Sequence, residues 1–140
     1  MPHVVLEYSG NVRDRTDPAA LFGTLHIELA SVGGFRVQDF KSRAVRMDQY
    51  FIGDGTREQS FVNLDVRTFG GKSPEARTAV SEAALTVLAD AFEATLRETA
   101  CDIVGRVREA ADVAKAVLFV TGNAHATGTT VYVDGGGTIA

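Results

Sequence analysis

The sequence is poor in the residues that mark several classes of protein. Cys101 is its single cysteine, so an internal disulfide is excluded and a reducing, cytoplasmic location is expected. The three histidines, at positions 3, 26 and 125, lack metal-ligand spacing, so no metal site is predicted. No apolar run approaches the roughly 20 residues that span a bilayer, so no membrane association is predicted. The first residues show no basic segment followed by an apolar stretch, so no secretory signal is predicted either.

Positive charge is also in short supply. The chain has 14 Lys and Arg against 18 Asp and Glu, a net charge of −4, which gives no electrostatic support to a role in nucleic-acid binding. Its 140 residues are 45% hydrophobic and 23% charged, which is typical of one soluble globular domain.

The most informative stretch is the amino-terminal segment from Met1 to Tyr8. Pro2 is small enough for the initiator methionine to be trimmed, which would leave a free secondary amine. Every internal proline nitrogen is locked in an amide, so only an N-terminal proline can exchange a proton. A free α-amine has a pKa of roughly 7.7 to 8.0, and burial or a nearby cation would lower this pKa toward the ideal for a general base. Alternation of apolar residues after Pro2 predicts a strand that fixes the amine.

Two segments predict helices, each opened by a capping residue and a proline. These pairs are Asp17-Pro18 and Ser73-Pro74, an offset of 56 residues from 17 to 73. Gly33-Gly34 ends the first helix, and β-like segments that include Phe40 to Ile52 and Phe61 to Phe69 flank the helices. The pattern predicts two β-α-β units with parallel strands and both helices on one face.

Several short motifs resemble the 5-carboxymethyl-2-hydroxymuconate isomerase family of the tautomerase superfamily. The resemblance reaches from Pro2 to about Thr99. Its markers are the Pro2-His3 start, the Glu7-Tyr8-Ser9 stretch followed by Asn11, Lys41-Ser42-Arg43, Asp54-Gly55, Ser60-Phe61-Val62 and Gly71-Lys72-Ser73.

This resemblance implies an α+β fold, a tautomerase-like duplicated β-α-β sheet with two helices on one face, to which the C-terminal tail adds an extra helix-strand segment. It implies assembly as a homotrimer or a dimer of trimers. The implied activity is a cofactor-independent isomerase that uses Pro2 as general base and acid. The implied substrate is a small anionic molecule, an unsaturated hydroxy or keto di- or tricarboxylic acid from aromatic-compound catabolism.

The family resemblance also implies positions for the groups that bind the substrate. Arginines expected to hold carboxylates are replaced here by Lys41 and Lys72, which keep the charge but lose the planar fork. Arg43 would share the face of Lys41, and Lys72 precedes a helix N-terminus, where an anion is favoured. Apart from the resemblance, Phe40, Tyr50 and Phe51 are candidate apolar walls of the pocket, with ordinary core or subunit contacts as the alternative.

The C-terminal segment resembles a different family. Residues 110–138 are similar to the end of short-chain dehydrogenases, through Asp112-Val113-Ala114, Thr127-Gly128 and Val131 to Gly137. No glycine-rich fingerprint follows the first strand and no tyrosine is followed four residues later by lysine, so an oxidoreductase is excluded. We therefore expect a tautomerase-like domain at 1–109 and a tail at 110–140, with a helix from about Ala110 to Val120 and a strand ending in Val133, packed on the same domain or a neighbouring subunit.

Two other functions stay open at this point. A protonated amine on the same scaffold would favour hydration or dehalogenation of a small unsaturated acid. A retained Met1 would block the amine and favour a non-catalytic trimer or binding module.

Overall fold

The computed structural model describes residues 1–109 and the backbone of residues 138–139. In chain order the elements are β1 (His3–Ser9), α1 (Pro18–Gly33), a 3-10 turn (Val37–Asp39), β2 (Lys41–Met47), β3 (Gln59–Thr68), α2 (Pro74–Ala91), α3 (Glu93–Glu98), β4 (Ala100–Glu109) and β5 (Thr138–Ile139). None of the helices in this part of the chain combines the length and apolar character needed to cross a membrane.

The strands of the described residues form one mixed sheet in the order β2-β1-β3-β4-β5. β1 and β2 run parallel and are connected through α1, and β3 and β4 run parallel and are connected through α2 and α3. The two units meet where β1 pairs antiparallel with β3, and β5 pairs antiparallel with β4. The predicted α+β fold with a duplicated β-α-β sheet is confirmed.

Both long helices pack on one face of the sheet. The alternating residues predicted for β3 are buried there, and they share a core with β1, β4 and the helices that includes Val4, Leu6, Leu25, Leu29, Val62, Leu64, Val66, Val80, Leu88, Phe92, Ile103 and Val107. The residues between them along each strand point to the opposite face, which no helix of the described residues covers. We call this second face the open face.

Each helix begins at its predicted cap. The Asp17 carboxylate accepts a hydrogen bond from the Ala19 amide at 3.0 Å, and the Ser73 hydroxyl accepts one from the Ala76 amide at 3.2 Å. Gly34 has a φ of 63°, a left-handed conformation that favours glycine and ends α1.

The structure corrects two element boundaries. The β-like segment predicted from Phe40 to Ile52 is a strand only over Lys41–Met47, because its parallel partner β1 ends at Ser9, opposite Met47. The second helix, whose sequence pattern starts at Ser73 and continues to Arg97, breaks after Ala91 and restarts as α3. The Asp14 carboxylate accepts hydrogen bonds from the Ala94 and Thr95 amides at 3.1 and 2.8 Å, which satisfies the start of α3.

The helix predicted from about Ala110 to Val120, the strand ending in Val133 and the dehydrogenase-like motifs lie outside the described residues. The division into a domain at 1–109 and a tail at 110–140 stays a prediction.

Candidate active site

Pro2 is held at the start of a strand in the interior of the sheet. Its ring is buried, and its carbonyl oxygen accepts a hydrogen bond from the Lys41 amide at 3.0 Å. Its nitrogen is bonded to Met1, whose side chain is 50% exposed. Strands β2 and β3 flank β1 on either side, so the position of Pro2 is fixed from two directions.

A cleft of about 420 Å³ lies beside this end of β1. It is bounded by the beginning of β1 and by the last residues of β3 and β4, which the strand pairing brings together. Its lining residues are Met1, His3, Arg67, Thr68, Phe69, Arg108 and Glu109. Met1, which forms part of the wall, is bonded to the nitrogen of Pro2, while the buried Pro2 is not itself a lining residue.

Basic side chains line up across the open face at the same end of the sheet. The strand register places Lys41 opposite His3, His3 opposite Arg67, and Arg67 opposite Arg108. The next row inward is Arg43, Val5, Asp65 and Arg106. We call the first of these two rows the basic row. The chain is acidic as a whole, so the sheet concentrates positive charge at the Pro2 end.

Asp65 joins the two arginines that line the cleft. Arg67 Nε donates a hydrogen bond to Asp65 Oδ2 at 2.7 Å. Arg108 Nε lies 3.1 Å from Asp65 Oδ1, an ion-pair distance without hydrogen-bond alignment. The Asp65 side chain is 16% exposed, whereas those of Arg67 and Arg108 are 56% and 36% exposed. One carboxylate is therefore shared by two guanidinium groups, and Glu109 adds a second negative charge at the wall of the cleft.

Lys41 and Arg43 lie on the open face, as their spacing predicts, and both are exposed. Neither residue is part of the cleft wall. Lys41 and Arg67 lie on strands that are separated by β1, so their backbones are roughly 10 Å apart. Lys41 and Arg43 therefore add to the electric field of the cleft, although neither would contact a molecule bound in it.

The side chain of Lys72 points to the helices. Its ammonium donates a hydrogen bond to the Gly33 carbonyl oxygen at 2.5 Å and lies 4.4 Å from the centre of the Phe35 ring. Its backbone amide donates to the Glu109 carboxylate at 3.0 Å. The structure therefore brings the backbone of Lys72 near the cleft wall and its charge to the end of α1.

Two of the predicted aromatic residues, Phe40 and Phe51, lie in different surroundings. Phe40 is buried between the rings of His26 and Phe35, with centroids 4.7 and 5.5 Å away. Phe51 is 78% exposed and lines a second cleft, of about 400 Å³, with Asn11 and other loop residues. That second cleft lies beyond the far end of β1, roughly 20 Å from Pro2.

Arg67 and Arg108 are the functional candidates that sequence reasoning missed. The alternation of apolar and polar residues in β3 predicts that Arg67 lies on the polar face of its strand, but it does not indicate which other strand is paired with β3. Only the parallel register of β3 and β4 pairs Arg67 with Arg108. The available signal was the repeated charge at alternate positions, Asp65 and Arg67 in one strand and Arg106 and Arg108 in the other.

Most of the chain matches a known family. A family model described as 5-carboxymethyl-2-hydroxymuconate isomerase matches residues 2–126. The 5-carboxymethyl-2-hydroxymuconate Delta-isomerase of Escherichia coli is 28% identical over 96 residues, which cover 69% of this chain and 76% of that protein.

Solved structures show the same fold. The crystal structure of a 5-carboxymethyl-2-hydroxymuconate isomerase from Deinococcus radiodurans R1 is similar with a TM-score of 0.70 at 26% identity, over 77% of this chain and 81% of that one. A fused 4-OT wild-type symmetric trimer has a TM-score of 0.55 at 13% identity, over 76% of this chain and 84% of that one. At this low identity the second similarity concerns the fold alone.

Proposed function

The chain belongs to the 5-carboxymethyl-2-hydroxymuconate isomerase family and is an isomerase, and we propose that its catalytic group is the amine of Pro2 after removal of Met1. The substrate class that we propose is an unsaturated hydroxy or keto acid with two or three carboxylates. The named relative in Escherichia coli acts within this class, as its name states.

The proposed reaction moves one proton between two carbons. The neutral amine of Pro2 removes a proton from one carbon of the substrate, and the electrons of that C–H bond shift into the conjugated carbonyl as a dienolate. The protonated amine then returns the proton to another carbon, so base and acid are the same atom and no cofactor is needed. Cations near the amine stabilise the negative charge of the intermediate and disfavour the protonated amine before the reaction.

One observation carries the proposal: Met1 forms part of a cleft that also contains two arginines. Removal of Met1 would open the Pro2 nitrogen into that cleft without moving the strand. Burial of the Pro2 ring and the hydrogen bond from the Lys41 amide to its carbonyl support a fixed position for the amine. A fixed amine beside a charged cleft is what proton transfer at carbon requires.

Other residues contribute less directly in this proposal. Lys41 and Arg43 add positive potential on the open face, which attracts an anionic substrate. Phe51 is too distant to contact a substrate at Pro2 of its own chain, so its part in the pocket requires a neighbouring subunit. The binding role of Lys72 stays a prediction from the family resemblance, and that of Phe40 stays a prediction from the sequence.

We also propose that the chain assembles as a homotrimer. Two observations support this assembly: a solved structure of the same fold is a symmetric trimer, and the open face lacks a covering layer among the described residues. Native mass spectrometry of the intact protein tests the proposal, with a trimer or a dimer of trimers as the expected species. A monomer at micromolar concentration would contradict it.

The experiment for the catalytic proposal begins with the mass of the intact protein. We expect a mature chain one methionine lighter than the translated sequence. Conversion of an enol acid by this protein should then fall about 10²- to 10⁴-fold in Pro2→Ala, because the alanine amine is less well placed to transfer the proton. Alanine is also small enough for Met1 to be trimmed, so the variant differs mainly in the ring. Turnover of Pro2→Ala at the wild-type rate would contradict the proposal.

A further inference from the structure

We propose that Arg67 and Arg108, held side by side by Asp65, bind one carboxylate of the substrate. This inference rests on the proposed function for the identity of the ligand. It assigns the binding of that carboxylate to two residues that the family resemblance did not indicate, in place of the two lysines. The lysines expected in that role lie outside the cleft wall or direct their charge elsewhere.

The first argument is position. Arg67 and Arg108 occupy directly paired positions of neighbouring strands, and both line the cleft that contains Met1. Neighbouring strands lie about 4.8 Å apart, so two side chains that leave the same face can reach one carboxylate together. A carboxylate in this place would be near the nitrogen of Pro2.

The second argument is the geometry of the donors. Both arginines approach Asp65 through Nε, so the terminal Nη groups of each guanidinium extend past that contact. A guanidinium has five N–H donors, and its planar edge matches the two oxygens of a carboxylate. Neither arginine has an Nη hydrogen bond among the described residues. Asp65 therefore orients both guanidinium groups through their Nε atoms and leaves their Nη donors available to a ligand.

The third argument is charge. Like charges at paired positions of a sheet are destabilising, and the basic row sets Arg67 directly opposite Arg108. Asp65 compensates one of the two charges. Glu109, the acid that lines the cleft, is buried and accepts a hydrogen bond from the Lys72 amide. A carboxylate bound between the two guanidinium groups would reduce the repulsion between Arg67 and Arg108.

The residues that line the cleft indicate the chemical class of the ligand. The Phe69 side chain is apolar and 70% exposed beside the two guanidinium groups, and it stays in the wall after removal of Met1. Such a cleft suits a flat hydrocarbon chain that ends in a carboxylate. After removal of Met1, the space that its side chain occupied becomes available to the part of the substrate nearest Pro2.

A pair of unreactive ligands tests the inference. The two conjugated dienes trans,trans-muconate and trans,trans-2,4-hexadiene-1,6-diol differ in that the diol carries an uncharged hydroxymethyl group where muconate carries each carboxylate. We expect the mature protein to bind muconate at least about tenfold more tightly than the diol, as measured by titration calorimetry. Arg67→Gln and Arg108→Gln should each lose most of this preference and change the affinity for the diol less than about threefold. A wild-type protein without the preference, or variants that keep it, would overturn the inference.

Two controls make the result specific. Arg97→Gln removes an exposed arginine of α3 that pairs with Glu98 outside the cleft, and it should keep the wild-type preference. Arg108→Lys keeps the charge without the fork and should give an intermediate preference. If a glutamine variant does not fold, the side-chain ¹⁵N NMR signals of the arginines in the wild-type protein still test the inference. Muconate should shift the signals of Arg67 and Arg108, and absence of both shifts would overturn the inference.

This experiment separates the inference from the proposed function. Neither ligand can isomerise through an enol, so their binding does not depend on Pro2 as a base. Pro2→Ala that loses turnover and keeps the muconate preference would support both proposals. If the wild-type protein shows the expected preference for muconate but isomerises no enol acid, only the catalytic proposal is rejected.

Discussion

The ammonium of Lys72 donates a hydrogen bond to the carbonyl oxygen of Gly33 at 2.5 Å, at the C-terminal end of α1. Cations are favoured at this end of a helix because the last carbonyl groups carry partial negative charge. The ring of Phe35 lies beneath the same ammonium at 4.4 Å. Lys41, the other lysine at an expected arginine position, is exposed on the far side of the sheet.

The two lysines should therefore respond differently to the same substitution. Lys72→Met should lower the free energy of unfolding by about 1 kcal/mol, because a hydrogen bond and a cation–π contact are lost. Its KM for an enol acid should change less than about threefold. Lys41→Met should leave stability nearly unchanged and raise KM by about two- to fivefold through the weaker field at the cleft. Urea unfolding and steady-state kinetics measure both effects, and a tenfold rise in KM for Lys72→Met would place that lysine in the binding site.

A second prediction concerns the pH dependence of stability. The Nε2 atom of His26 lies 2.6 Å from Ser42 Oγ, and burial lowers the pKa of His26 below its ordinary value of 6.5. The folded protein then binds this proton more weakly than the unfolded chain. The stabilising contribution is present above about pH 6.5 and decreases as the pH falls through that value toward the folded pKa.

His26→Gln removes the titrating group and keeps an amide that can bond to Ser42. Between about pH 7.5 and pH 5, the wild-type free energy of unfolding should fall more than that of His26→Gln. Urea unfolding at a series of pH values measures the difference. Parallel curves for the two proteins would show that the His26 pKa is not shifted by folding.

A third prediction uses two glycines of α1. Apart from the adjacent residues and the nearby backbone of α1, no heavy atom lies within 4 Å of the place where a Cβ at Gly23 would be, and the position is exposed. A Cβ at Gly33 would lie 2.8 Å from Val80 Cγ2 and would also collide with the Phe35 ring. Gly23→Ala should raise the free energy of unfolding by about 0.5 to 1 kcal/mol through helix propensity. Gly33→Ala should lower it by about 1 to 3 kcal/mol through overpacking.

The same substitution in the same helix thus has opposite expected signs, which makes each variant the control of the other. Thermal and urea unfolding of both variants measure the change. If both variants change the free energy of unfolding in the same direction, helix propensity or packing alone determines the effect of alanine in this helix.

Much of the fold was accessible from sequence because its signals are local. The caps at Asp17 and Ser73 lie next to the helices that they start, and alternation in β3 shows within a few residues which side chains are buried. The break between α2 and α3 depends instead on Asp14, which lies 80 positions before Ala94 in the chain. No local pattern around the break indicates that contact.

The site could be predicted only in part, because some of its contacts join residues that are distant in the sequence. Pro2 could be singled out because its chemistry follows from its place in the chain. The association of Arg67 with Arg108 depends on the register of two strands joined through two helices, α2 and α3, and that register was not predicted. The direction of Lys72 depends on a flexible side chain with two possible partners for its charge, an anion at α2 or the carbonyl groups of α1.

The burial of Pro2 also has a consequence for how an active protein is made. The peptide bond that joins Met1 to Pro2 has an exposed residue on one side and a buried residue on the other once the sheet has formed. An aminopeptidase would have to cut that bond while the new chain leaves the ribosome, since burial of Pro2 in the finished sheet would hinder access to it. Rapid overproduction would then yield correctly folded but untrimmed molecules, and specific activity would follow the trimmed fraction of each preparation.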